Sequence, residues 1–248
     1  MSLSIIILTK NEENTIVDSL ESASFADEII IVDDNSTDRI DEIIKKINNP
    51  KIKLTKHSLD HDFSAQRNFA LKITKSDWIL FLDADERISK ELQKEIIEKI
   101  KDNNIDGYFI KRSDFLWGKK LRYGETGNIK LLRLGKRGSG IWKGKVHETW
   151  NIKGKTSELE NDLTHLPHQT IKEFLSEINY YSDLRAKELF DKGVESNLLS
   201  IIIYTKGKFM VNYFLKLGFL DGIPGFVFAI LMSFYSFMVR GKLYLLRH

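Results

Sequence analysis

Four short apolar runs, rich in β-branched residues, punctuate the start of the chain: Ser4 to Thr9, Glu28 to Asp33, Ile52 to Lys56 and Trp78 to Asp83. Runs of this length and composition read as buried strands. Between them the apolar residues change to helical spacing: Ile16, Leu20 and Ala23; Ile40, Ile43, Ile44 and Ile47; Phe69, Leu71 and Ile73. Strands alternating with helices predict an α/β fold, a parallel sheet covered by helices on both faces.

In such sheets ligands bind in the crevice beyond the carboxyl ends of the strands. The residues expected there are Thr9-Lys10-Asn11-Glu12, Asp33-Asp34-Asn35-Ser36-Thr37-Asp38 and Asp83-Ala84-Asp85-Glu86. Asn14 and Ser36 are placed to cap the helices that follow. The third segment carries the strongest signal. A hydrophobic strand delivers two carboxylates separated by one small residue, and a turn at Ala84 brings both acids to one ligand. Mg²⁺ or Mn²⁺ suits such a site, since a hard cation takes carboxylate and diphosphate oxygens together. The competing reading is a solvated acidic turn.

Asp33 and Asp34 close the second strand, where a carboxylate either accepts from a uracil imide N–H or a ribose hydroxyl, or caps the next helix. Asp62 to Ala70 looks like a helix start with polar residues on its exposed side. From it Arg67 reaches a base or a phosphate.

Composition closes other chemistries. The chain has 248 residues, a formal charge of +3 and no cysteine. That leaves no thiolate nucleophile, no Cys-based zinc site and no broad phosphate-binding surface for nucleic acid. Thr9-Lys10-Asn11-Glu12 stands where a dinucleotide-binding G-x-G-x-x-G would be, which disfavours a dehydrogenase. No Gly-rich, Arg/Lys-bearing triphosphate loop follows the first strand, which disfavours a sugar-nucleotide nucleotidyltransferase. A catalytically silent, membrane-associated scaffold remains as an alternative.

Taken together, Ile7 to Glu13, Ile31 to Asp38, Gln66-Arg67-Asn68 and Leu82 to Glu86 resemble family 2 glycosyltransferases of the GT-A fold. Trp142 to Glu148, followed by Leu163-Thr164-His165, is similar to bacterial lipopolysaccharide core glycosyltransferases, as are Gly218 to Gly222 and the apolar tail. Many of those relatives carry a Glu-Asp pair where this chain has His147-Glu148. The resemblance implies an inverting transfer of a sugar, glucose in the nearest subgroup, from a UDP-sugar to a lipopolysaccharide core or other membrane-linked glycan. It implies nucleotide-sugar binding by Thr9, Asn11, Glu12, Asp33, Asp34, Arg67, Asp83 and Ala84. Asp85 would be the direct metal ligand, with Asp83 nearby. Glu148 is the candidate base, oriented by His147, and His165 completes the metal shell or donates to the diphosphate. On this reading 1–168 is the catalytic domain, with 1–100 the nucleotide-sugar-binding half and 101–168 the acceptor and base region.

The rest, 169–248, reads as a helical tail. A helix is expected over roughly Ile171 to Lys192. Ile223 to Val239 is free of charge and bracketed by Lys206, Lys208, Lys216, Arg240, Lys242 and Arg247. Its length sits at the lower limit for a span of roughly 20 residues. It therefore reads as a helix on an anionic membrane surface, a short span, or a helix packed against protein. With no basic leader before the first strand, the expected location is cytoplasmic, peripheral on the inner face of the bacterial cytoplasmic membrane.

Overall fold

A computed structural model describes residues 1–60, 62–144, 148–167 and 169–247. The chain begins with β1 (Leu3–Thr9), α1 (Ile16–Ala23), β2 (Glu28–Asp33), α2 (Ile40–Ile47), β3 (Ile52–Lys56), α3 (Phe63–Ile73) and β4 (Trp78–Asp83). Next come β5 (Glu86–Ile88), α4 (Lys90–Lys99), β6 (Gly107–Leu116), β7 (Lys119–Lys120), β8 (Ile129–Lys136), β9 (Gly140–Lys143), β10 (Thr149–Ile152), β11 (Thr156–Glu158) and β12 (Leu163–His165). Three long helices follow: α5 (Ile171–Asp191), α6 (Leu198–Met210) and α7 (Gly222–Leu245).

The chain divides into two compact units, Met1–Arg112 with Lys130–His165, and Ser113–Ile129 with Leu166–His248. In the first, all four expected strands form and pair in parallel in the order β3-β2-β1-β4. The sheet continues through β8, antiparallel to β4, to β6, β12 and β5. Because successive side chains of a strand face opposite ways, the sheet builds two cores. Ile5, Ile7, Ile29, Ile31, Leu80 and Leu82 pack under α1, α2 and α4. Ile6, Leu8, Ile30, Val32, Ile79 and Phe81 pack under Ala70 of α3 and under Trp142 and Trp150 of the β9–β10 hairpin. This two-sided burial is why β1 reads as an unbroken apolar run.

Neither expected cap is used. The first helix starts after Thr15 and the second after Arg39, without a side-chain cap at either position. Ser36 instead serves the loop, accepting from Asn11 N–H at 2.8 Å and donating its N–H to Asp33 Oδ2 at 3.0 Å.

In the second unit Thr170 and Glu173 form a capping box that starts α5. Phe174 and Ile178 of α5 pack with Phe228 and Leu231 of α7, and Ala186 and Leu189 pack with Val239 and Leu243. Gly225 is required where α7 passes the 218–221 turn, since a Cβ there would lie 2.1 Å from the Gly218 carbonyl oxygen. The 113–129 segment, expected within the catalytic domain, groups with these helices. Asp221 accepts from the N–H groups of Arg122 and Tyr123 at 3.0 and 2.9 Å, and Gly124 N–H donates to the Lys216 carbonyl at 2.9 Å. Backbone partners distant in sequence are invisible to pattern reading, so this grouping could not be read along the chain.

Candidate active site

The carboxyl ends of β1, β2 and β4 carry the polar residues expected of them. At β4 the two acids of Asp83-Ala84-Asp85 part company. Asp83 accepts from Arg67 Nη2 at 3.1 Å and from Arg133 Nη2 at 2.6 Å. Burial raises its proton affinity, but Arg133 and Arg67 outweigh burial and hold the carboxyl far below the ordinary range. Asp85 turns the other way, its Oδ2 3.1 Å from His165 Nε2. Burial opposes its ionisation too, and His165 overcomes it. Ala84 between them is buried, and its carbonyl accepts from Arg87 Nη1 at 2.8 Å. Glu86 is fully buried, accepts from Asp83 N–H at 2.9 Å, and is pushed upward by burial against the pull of Arg133.

Arg67, from the stretch read as the polar, exposed side of a helix, is buried. Asp62 caps α3 by accepting from Ala65 N–H at 2.9 Å, and the register this sets turns Gln66, Arg67 and Ala70 inward. The guanidinium of Arg67 sits 4.7 Å above the Trp142 ring and donates from Nε to Glu148 Oε1 at 2.9 Å. Arg67 therefore joins Asp83 to Glu148, two residues far apart in sequence. His147 lies outside the described residues. Trp142 and Trp150, possible sugar platforms by type, are instead core residues stacked at 5.5 Å.

Around β1 and β2, the pair Asp33-Asp34 also divides its labour. Asp33 is fully buried and spends both oxygens on Ser36. Asp34 keeps partial exposure while accepting from Leu59 N–H at 2.9 Å. Asn11 adopts a left-handed backbone, φ 55°, which asparagine tolerates, and ties the two loops by accepting from Thr37 N–H at 2.8 Å. The Glu12 carbonyl accepts from Ile16 N–H at 3.0 Å, and its carboxylate meets the Thr15 hydroxyl, so Glu12 anchors the start of α1. Thr9 Oγ1, Arg67 Nη1 and Arg133 Nε are buried without a hydrogen-bond partner among the described residues. Buried polar atoms are rarely left unsatisfied. These donors fit a ligand rich in acceptor oxygens.

Sequence reasoning missed Arg133. Its only signal was a lone arginine inside the apolar run Leu131-Leu132-Arg133-Leu134 of β8. Asp83, expected as a ligand, is engaged by two guanidiniums. Among the described residues no group of three or more His, Asp or Glu side chains could hold a metal. The Asp85 carboxylate and His165 imidazole, 3.1 Å apart, fit a cation that takes its remaining ligands from diphosphate and water, rather than one caged by protein.

The family profile described as glycosyl transferase family 2 matches residues 4–174. An uncharacterized glycosyltransferase of Rickettsia typhi is 28% identical over 97% of this chain and 86% of its own length. The lipopolysaccharide core biosynthesis glycosyltransferase LpsC of Rhizobium meliloti is 27% identical over 98% of this chain and 92% of its own. Among solved structures, Staphylococcus aureus TarS 1-349 in complex with UDP-GlcNAc superposes with a TM-score of 0.53 at 16% identity, covering 100% of this chain and 92% of that one. That likeness speaks to the fold.

Proposed function

Because this chain belongs to glycosyl transferase family 2, we propose that it transfers a hexose, glucose first among the candidates, from a UDP-sugar to a membrane-linked glycan such as a lipopolysaccharide core, with inversion. The observation that carries the reading is the contact chain Glu148–Arg67–Asp83–Arg133, with links of 2.9, 3.1 and 2.6 Å. It joins the candidate base, the arginine of the nucleoside pocket and the strand-end acid in one buried network. The UDP-GlcNAc complex of TarS and the name of LpsC favour a UDP-sugar donor and an envelope glycan acceptor.

In this mechanism the acceptor hydroxyl oxygen attacks the anomeric carbon from the face opposite the diphosphate. The bond to the diphosphate oxygen breaks, and its electron pair leaves with UDP. Glu148 takes the acceptor proton, and the 2.9 Å contact with Arg67 orients its carboxylate until then. Asp34, Thr9 and Arg67 receive the nucleoside, with Asn11 and Asp33 shaping the loops around it. When bound at Asp85 and His165, a divalent Mg²⁺ or Mn²⁺ supplies charge neutralisation for the departing diphosphate.

We place the enzyme peripherally on the inner face of the cytoplasmic membrane. The stretch Gly218–Leu245 is long and apolar enough to cross a bilayer. Yet α7 is bound along its length to α5, where Lys242 reaches Asn179 and Ser182 at 2.8 Å and Asp183 at 2.7 Å. A helix so attached to a charged neighbour suits the interface better than the bilayer centre. Leu215 and Ile223, 77% and 80% exposed, belong to the apolar side left open. The deciding experiment follows UDP release from UDP-glucose and UDP-GlcNAc. Release that needs both a divalent cation and a glycolipid acceptor supports the reading; turnover indifferent to both overturns it.

A further inference from the structure

The geometry points to a lipid site: a cavity among α5, α6 and α7 that takes the phosphate-bearing end of an anionic membrane phospholipid. The cavity, open to solvent, offers about 460 Å³, and its lining includes Arg185, Lys208 and Arg240 together with Leu189, Ile203 and Val239. Cations beside apolar walls select an amphipathic anion over a sugar or a free inorganic ion.

The three cations are not equivalent. Glu188 pairs with Arg185 at 2.5 Å, and Glu125 pairs with Lys208 at 2.5 Å. For Arg240 the described residues record a contact with the face of Tyr204, at 3.7 Å, and no carboxylate. Stacking fixes the guanidinium plane and leaves its N–H edge for an anion, which a phosphate fits in bidentate fashion.

Gly207 supplies a second, independent observation. It lies inside α6, where glycine is a poor helix former. No neighbour demands it, because an added Cβ would meet nothing within 4 Å. Gly207 lines the cavity, so its missing side chain keeps that space open. Ile203, another lining residue, is 56% exposed, and α6 buries none of its residues. The cavity wall thus runs out into exposed apolar surface, as an acyl chain leaving the site would require.

The inference rests on the membrane-associated reading above, deepening it from a surface to a site. The test uses the full chain and soluble dihexanoyl-phosphatidylglycerol below its micelle concentration, read by thermal unfolding. The expected result is a saturable upward shift of a few degrees, lost in Gly207→Leu, which fills the cavity without altering charge, and in Arg240→Gln. Dihexanoyl-phosphatidylcholine and glycerol 3-phosphate at equal concentration should give no shift. A wild-type response in Gly207→Leu overturns the site, as does an equal response to the choline lipid. An equal response to glycerol 3-phosphate overturns the lipid assignment. If Gly207→Leu does not fold, Arg240→Gln decides by the same criterion. Co-sedimentation with phosphatidylglycerol vesicles tests the membrane reading separately: a chain that responds to the soluble lipid but ignores vesicles keeps the site and loses the surface.

Discussion

Arg133→Met is the sharpest test of how the strand-end acids are organised. Methionine keeps much of the stem but removes the guanidinium that lies 2.6 Å from Asp83 and 3.7 Å from Glu86. Breaking one side of a buried ion pair costs about 3–5 kcal/mol. Asp83 is 30% exposed at its side chain and keeps Arg67, so solvent and the second cation trim the expected loss to about 2–3 kcal/mol. At about 2–4 °C per kcal/mol for a chain of this size, the melting temperature should fall by roughly 4–12 °C at pH 7.5. Trp78, Trp142 and Trp150, three of the four tryptophans, sit in the affected unit, so fluorescence-monitored unfolding reports on it. The pH dependence has a definite sign. Asp83 is depressed in the fold, so its contribution is present above its unfolded value and is lost as pH falls through the folded one. Glu86 is raised, so ionising it costs stability above its unfolded value, and acid relieves that cost. Without Arg133 the Glu86 carboxyl rises further, and the deficit of the variant should shrink between pH 7.5 and about pH 5. A fall of less than about 2 °C, or a deficit that does not change with pH, would refute the idea that Arg133 compensates both acids.

Three further outcomes follow from the same geometry. Asp85→Asn should abolish metal-dependent turnover with only a modest fall in melting temperature, from the lost pairing with His165; near-normal turnover in saturating Mn²⁺ sinks the assignment. Glu148→Gln should keep UDP-sugar binding and lower the single-turnover rate by roughly 10²-fold or more. A wild-type rate would remove Glu148 from the mechanism, whereas joint loss of stability and UDP affinity would make it a structural partner of Arg67. Leu215→Glu combined with Ile223→Glu alters two residues that are 77% and 80% exposed, so vesicle partitioning should drop at least about tenfold without a change in unfolding; unchanged partitioning would point to another membrane contact.

Much of the first unit was legible along the chain. Strand burial on both faces demands apolar runs such as β1, β2 and β4, the edge strand β3 is only half-buried, and the helices between them must show a 3.6-residue period, so these elements declare themselves locally. The acids at the strand ends were equally visible, because a chain seldom finishes a buried strand on carboxylates without a use for them. What local patterning could not supply was the partner of each charge. The burial of Arg67 depends on the register that Asp62 imposes, and the pairing of Asp83 with Arg133, fifty positions later, is silent until β8 lies beside β4. The assignment of 113–129 to the helical unit likewise rests on Asp221 and Lys216, distant residues that accept its backbone N–H groups. Sequence by itself therefore determined the α/β architecture and the family, since both are written in periodicity and in short contiguous motifs. Tertiary structure alone decided which partner each acid of the pairs Asp33-Asp34 and Asp83/Asp85 meets, because electrostatic pairing acts through space over a few ångströms and takes no account of order along the chain.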